Sequence, residues 1–123
     1  MNILCVEQDR TKLRQLKRDA RAFVPRAHIT VCRDPCKAEA VAKAKGCDVL
    51  LTDSVFDGFR LDGTMLAELI QRVNPRVNII FVTVCGEWEH AEAIFRLRVS
   101  GYVRKPYEPS QLAEEFANLR YAL

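Results

Sequence analysis

Four short stretches of this 123-residue chain end in side chains that can act together: Glu7-Gln8-Asp9, Asp53, Thr83, and the lysine of Tyr102-Val103-Arg104-Lys105-Pro106. Each closes a short apolar run that reads as a β-strand. In an open parallel sheet the strand ends share one edge, so residues scattered over roughly a hundred positions converge on one pocket. That pocket would hold carboxylates, a hydroxyl and one ammonium. A carboxylate accepts a phosphoryl group only when its charge is partly neutralised, because two anions repel, and a divalent cation together with a lysine does this. Magnesium takes oxygen ligands and keeps several waters, so a few carboxylates and a backbone carbonyl suffice. These residue types match a metal-assisted phosphoryl acceptor, not a hydrolase.

The elements that must position these residues alternate along the chain. Residues 3–6 are too short an apolar run for a helix, and Asp9 can cap the helix that follows, with Leu13, Leu16, Ala20 and Phe23 inward until Pro25 stops it. His28–Cys32 reads as the second strand. Asp34-Pro35 is a cap followed by proline, opening a helix with Ala38, Val41 and Ala42 inward and Gly46 as its stop. Val49–Thr52 is the third strand, and a loop containing Gly58 and Gly63 follows Asp53. Met65, Leu66, Leu69, Ile70 and Val73 form the next helical stripe, ended by Asn74-Pro75. Residues 77–83 are apolar apart from Asn78, as expected of a strand covered on both faces. A fourth helix over residues 87–99, with Ala91, Ile94 and Phe95 inward, is broken by Gly101. Residues 102–104 are the fifth strand, and Pro109 opens a last helix bearing Leu112, Phe116 and Leu119. Strand and helix thus repeat five times, which predicts an α/β fold with a parallel sheet between two helical layers.

Length fits one domain over residues 1–123. No apolar run approaches a membrane span, and Met1-Asn2 leads into a strand pattern with no basic leader, so we expect a cytoplasmic protein with no membrane partner. A net charge of +3 is too mild to imply direct nucleic-acid contact. The cluster Arg10, Lys12, Arg14, Lys17, Arg18, Arg21 and Arg26 interleaves with apolar residues at helical spacing and reads as a solvated helix face, with docking of an acidic helix as the alternative. The five cysteines are read as buried free thiols. His28, Cys32 and Cys36 recur every four residues, but the first two lie on a strand, so they need not share a ligand with the third.

The runs Ile3-Leu4-Cys5-Val6-Glu7-Gln8-Asp9, Asp48-Val49-Leu50-Leu51-Thr52-Asp53, Ile79-Ile80-Phe81-Val82-Thr83 and Gly101-Tyr102-Val103-Arg104-Lys105-Pro106 occur in this order at successive strand ends. Together they resemble the receiver domain of two-component response regulators over essentially the whole chain, from Asn2 to about Leu119. The resemblance implies a flavodoxin-like, doubly wound sheet of five parallel strands in the order 2-1-3-4-5, with five helices in three layers. It implies that Asp53 accepts a phosphoryl group from a sensor histidine kinase or a phosphotransfer protein, a signalling role and not that of an enzyme acting on an independent substrate. Lys105 would bond a phosphoryl oxygen, with a cis Lys105-Pro106 peptide; Thr83 would donate its hydroxyl to the phosphoryl group; Tyr102 would change burial as Thr83 moves. Magnesium would be held by Glu7, Gln8, Asp53 and the backbone carbonyl of Val55. Output would appear on the face of the fourth helix, fifth strand and fifth helix, where Trp88, Arg96, Arg98, Arg104 and Glu114 suit a homodimer. The terminal run through Asn118-Leu119-Arg120-Tyr121 looks like receivers that precede a DNA-binding output domain, which would lie outside this chain.

Two departures stand out against that family. Gln8 occupies a position that usually supplies a carboxylate to the metal, and Asp9 is either a compensating acid or only a cap. The loop after Asp53 is longer than the usual pattern and brings Asp57 and Arg60 toward the rim, either as substitute charges or as a tolerated insertion. These departures keep open a degenerate receiver that works as a phosphorylation-independent interaction module. An unrelated phosphatase or flavin carrier is disfavoured, because Glu7-Gln8-Asp9 stands where a glycine-rich phosphate loop would be needed.

Overall fold

The computed structural model describes residues 1–119. Five strands, β1 (Asn2–Val6), β2 (His28–Cys32), β3 (Val49–Thr52), β4 (Asn78–Thr83) and β5 (Gly101–Arg104), form one parallel sheet in the order β2-β1-β3-β4-β5. Five helices connect or follow them: α1 (Arg10–Phe23), α2 (Pro35–Lys45), α3 (Gly63–Val73), α4 (Ala91–Leu97) and α5 (Pro109–Ala117). Every pairing in the sheet is parallel, so all strands end on the same edge. The alternating faces of the strands fill two cores. Leu4, Val6, Leu50, Ile79 and Phe81 pack with α2, α3 and α4, whereas Ile3, Cys5, Leu51, Ile80 and Val82 pack with α1 and α5. Among the described residues no helix is long and apolar enough to cross a membrane.

Local signals set most boundaries. Asp9 caps α1 by accepting from the Lys12 amide at 2.9 Å, and Asp34 caps α2 by accepting from Cys36 at 2.8 Å. Gly46 ends α2 at φ 81, in the region that favours glycine. Asn78, the polar residue of β4, accepts at Oδ1 a 2.9 Å bond from the Ser100 hydroxyl, while its Nδ2 is buried without a hydrogen-bond partner among the described residues.

Several expected inward stripes are corrected. Phe23 is 37% exposed at the end of α1, with its ring stacked on Phe116 at 5.5 Å. On α3, Ala67 is buried beside Leu66 and Ile70, while Met65 and Val73 are exposed and Leu69 is half-buried. The fourth helical segment does not run as one helix over 87–99. A 3₁₀ turn, Glu87–His90, precedes α4 and changes its phase, so Ala93 and Leu97 face the core. Ala91 is exposed, Ile94 half-buried, and Phe95 is 88% exposed. Arg98, at φ 53, ends α4, and Gly101 belongs to β5 instead of breaking the helix. Gly63 is the first residue of α3, not part of the loop, with Asp62 as its cap. Cys36 is exposed, although Cys5 and Cys47 are buried and burial pushes both thiols up to about 12. Arg120 and Tyr121, part of the run read as leading to an output domain, lie outside the described residues.

Candidate functional site

Register brings the acidic residues and the lysine together. Val6 pairs with Thr52, so Glu7 and Asp53 leave adjacent strands side by side. Thr83 pairs with Arg104, and the Lys105 amide bonds the Thr83 carbonyl at 2.8 Å, which brings Lys105 to the same edge. Its ammonium donates to Asp53 Oδ2 at 2.7 Å and to Glu7 Oε1. The three side chains are 8% (Lys105), 14% (Asp53) and 7% (Glu7) exposed, so the charges interact through little water. Burial alone would push the Lys105 pKa down, but hydrogen bonds and charge from Asp53 and Glu7 outweigh it and hold it above the ordinary lysine value. Asp53 Oδ1 accepts from the amides of Ser54 at 2.7 Å and Val55 at 3.3 Å. Glu7 Oε2 accepts from the Asp9 amide at 2.9 Å. The peptide bond between Lys105 and Pro106 is cis.

The other flank of Asp53 is neutral. Thr83 is fully buried, and its Oγ1 lies 2.8 Å from the hydroxyl of Ser54 and accepts from the Cys85 amide at 3.3 Å. Tyr102, half-buried, donates to the Cys85 carbonyl at 2.9 Å and to that of Gly86 at 3.3 Å, with its ring edge-on to Phe81 at 6.0 Å. Burial pushes its hydroxyl up to about 12, so it stays a donor at neutral pH. Ser54 was not among the residues singled out by sequence. The available signal is a small hydroxyl placed directly after the candidate acceptor, where the chain is still in the core.

The rim differs from expectation. The Gln8 amide forms a two-point clasp on the backbone of Asp57: its Nε2 donates to the Asp57 carbonyl at 2.7 Å, and its Oε1 accepts from the Asp57 amide at 2.9 Å. The oxygen expected to face a metal thus has one of its two lone pairs engaged by the loop. Asp9 acts as the α1 cap, and the Lys12 amide holds its carboxyl below the usual range. Asp57 and Arg60 are exposed, and among the described residues no ion pair joins them. Phe56, buried in the α2–α3 core, anchors the loop between them and β3. Among the described residues no group of three or more His, Cys, Asp or Glu side chains gathers into a metal cage. Glu7, Asp53 and the Val55 carbonyl are nevertheless all hard oxygen donors. They fit a cation such as magnesium, which characteristically uses one or two carboxylates and retains waters.

Gly63 explains how α3 reaches this edge. A Cβ there would lie 1.9 Å from the Asp53 carbonyl oxygen, so only glycine permits the approach, which its own amide fixes with a 2.9 Å bond to the Ser54 carbonyl. On the face of α4, β5 and α5, Trp88 is 92% exposed, and a groove is lined by Trp88, Tyr102, Arg104, Gln111 and Glu114. Arg96 and Arg98 border a different groove, toward α3, and Arg96 pairs with Glu68 at 3.2 Å and Glu92 at 3.1 Å. Arg96 is thus engaged within the chain in ion pairs that remain partly exposed.

The sequence profile of the response regulator receiver domain matches residues 3–117. In solved structures the fold is similar to Vibrio cholerae chemotaxis protein CheY4, with a TM-score of 0.83 at 15% identity, covering 96% of this chain and 97% of that one. It is similar also to a receiver domain protein from Clostridium thermocellum (TM-score 0.80, 19% identity, covering 95% and 91%). RcsB of Salmonella enterica serovar Typhimurium, solved bound to the promoter rprA with phosphomimetic BeF3−, aligns at TM-score 0.79 and 22% identity over 99% of this chain and 69% of that one. The nitrogen assimilation regulatory protein NtrX of Azorhizobium caulinodans is 29% identical over 80 residues, which is 65% of this chain but only 18% of that regulator. With five parallel strands in the order 2-1-3-4-5 and the profile match over nearly its whole length, the chain belongs to the response regulator receiver domain family.

Proposed function

We propose that this domain receives a phosphoryl group on Asp53 from a phosphohistidine of a sensor kinase or phosphotransfer protein. The observation that carries the reading is the Lys105 ammonium bridging Asp53 and Glu7 at the strand ends, with the Asp53 carboxylate held in place by the Ser54 and Val55 amides. An Asp53 oxygen forms the new P–O bond as the P–N bond of the donor breaks and the imidazole leaves with the electron pair. Lys105, already bonded to the acceptor, is placed to take a developing phosphoryl charge, and the two amides fix the carboxylate's orientation, so little reorganisation is needed. Glu7, Asp53 and the Val55 carbonyl are the residues that would hold magnesium, which when bound supplies positive charge between acceptor and phosphate. Gln8 adds no charge to that set, so metal binding should be weaker than in receivers with a second acid.

Thr83 and Tyr102 would carry the signal to the face of α4, β5 and α5, where exposed Trp88 with Arg104 and Glu114 suits a homodimer or an output partner. Likeness to NtrX supports a transcriptional output domain beyond this chain, in a cytoplasmic phosphorelay. The Gln8–Asp57 clasp supports a second reading, an interaction module that works without phosphorylation. Intact-mass spectrometry after acetyl phosphate and magnesium separates the two. We expect an adduct of one phosphoryl group that is lost in Asp53→Asn and in excess chelator. No adduct on the unaltered chain would leave the interaction module as the function.

A further inference from the structure

Ser54 lies between the acceptor and Thr83 and is pinned at both ends of its backbone. Its amide donates to Asp53 Oδ1 at 2.7 Å, and its carbonyl accepts from the Gly63 amide at 2.9 Å. Its Cα is therefore held beside Asp53. The hydroxyl lies 2.8 Å from Thr83 Oγ1, with both residues buried. Thr83 has one proton and two lone pairs, and one lone pair already takes the Cys85 amide at 3.3 Å. If Thr83 donates to Ser54, its only proton is spent. If Ser54 donates, the remaining lone pair is spent. When Thr83 is the donor, it can bond an acceptor on Asp53 only by giving that bond up; when Ser54 is the donor, the Thr83 proton stays free and the bond holds only the position of the Thr83 oxygen.

We propose that Ser54 is a positioning residue for the switch: its hydroxyl, accepting from Thr83, competes with a phosphoryl group for the Thr83 proton and sets how far Thr83 and Tyr102 shift when Asp53 is occupied. Tyr102 is included because its hydroxyl bonds the carbonyl of Cys85, whose amide bonds Thr83. The inference rests on the phosphoacceptor reading above. Removing the Ser54 hydroxyl leaves the buried Thr83 donor unmatched, which favours its turn toward an acceptor on Asp53. A net hydrogen bond of ordinary strength corresponds to about a 2- to 10-fold change in that equilibrium, and an apparent affinity changes in proportion when the competent arrangement is the minor one.

The test titrates the 123-residue chain with beryllofluoride in magnesium, following bound fluoride by ¹⁹F NMR and the Tyr102 amide by ¹⁵N NMR. Ser54→Ala is expected to lower the half-saturating concentration about 2- to 10-fold and move the Tyr102 resonance toward its bound position before saturation. In a Thr83→Val background, Ser54→Ala should have no further effect, because the lock acts only through the Thr83 hydroxyl. An unchanged or higher half-saturation overturns the proposal, as does an equal effect of Ser54→Ala with and without the Thr83 hydroxyl, which would mark a purely structural change. No bound fluoride on the unaltered chain overturns the phosphoacceptor reading itself, and this inference with it.

Discussion

On one side of Asp53, two carboxylates and an ammonium are locked together with little water around them. On the other, two hydroxyls, an amide and a tyrosine are joined by neutral hydrogen bonds. The first flank is expensive to disturb, because losing one partner strands a buried charge at about 3–5 kcal/mol. The second rearranges cheaply, since a neutral hydrogen bond is worth about 0.5–1.5 kcal/mol net. The proposed phosphoacceptor role calls for both properties: a fixed electrostatic seat for a phosphoryl group and a neighbour whose alternative positions differ little in energy. In this protein they meet at a single peptide, Asp53-Ser54.

The change that should disturb both flanks at once is Gly63→Ala. With its Cβ 1.9 Å from the Asp53 carbonyl oxygen, backbone must move against backbone. We expect a loss of about 3 kcal/mol or more, the upper end for overpacking, read as a lower urea midpoint. An unchanged midpoint would mean that α3 can back away from β3 without cost, and that the shared pivot is soft.

Next in size, Lys105→Met should sharpen the contrast between the flanks. It leaves Glu7 and Asp53 facing each other without a cation and should cost about 3 kcal/mol at neutral pH, whereas Ser54→Ala should cost about 1 kcal/mol. Equal losses from the two variants would erase the distinction between an ionic and a neutral flank.

The smallest effect is the alkaline behaviour of the ionic flank. Because the folded chain raises the Lys105 pKa, the stabilisation it gives is fully present below the unfolded lysine value of about 10.4 and is lost as pH rises through the higher folded value. Tyr102 and Tyr107, whose hydroxyls burial also pushes up, lose stability in the same alkaline range, so the raw curve does not isolate Lys105. The stability difference between the unaltered chain and Lys105→Met should be level from about neutral pH to about pH 10 and shrink above it. A difference that stays level as pH rises well above the unfolded lysine value would mean that the Lys105 ammonium does not carry it.

Much of this site was legible in the sequence because its positions are set by local signals. Short apolar runs, the caps Asp9 and Asp34, the stops Gly46 and Asn74, and the alternation of strand with helix fix which residues stand at strand ends. Parallel pairing then brings Glu7, Asp53, Thr83 and Lys105 to one edge without further information. Helix phase was less secure. The fourth helical segment carries apolar residues on more than one face, and the 3₁₀ turn at Glu87–His90 decided that Ala93 and Leu97 pack inward and Phe95 faces solvent.

Chain order and residue type thus determined by themselves the α/β class and the charged end of the site, because strand ends in a parallel sheet must share an edge. Only the tertiary structure decided what Gln8 and Ser54 do. An amide or a hydroxyl bonds whichever partner lies within about 3 Å. For these two residues that partner came from the Asp57 loop and from the end of β4, 49 and 29 positions away.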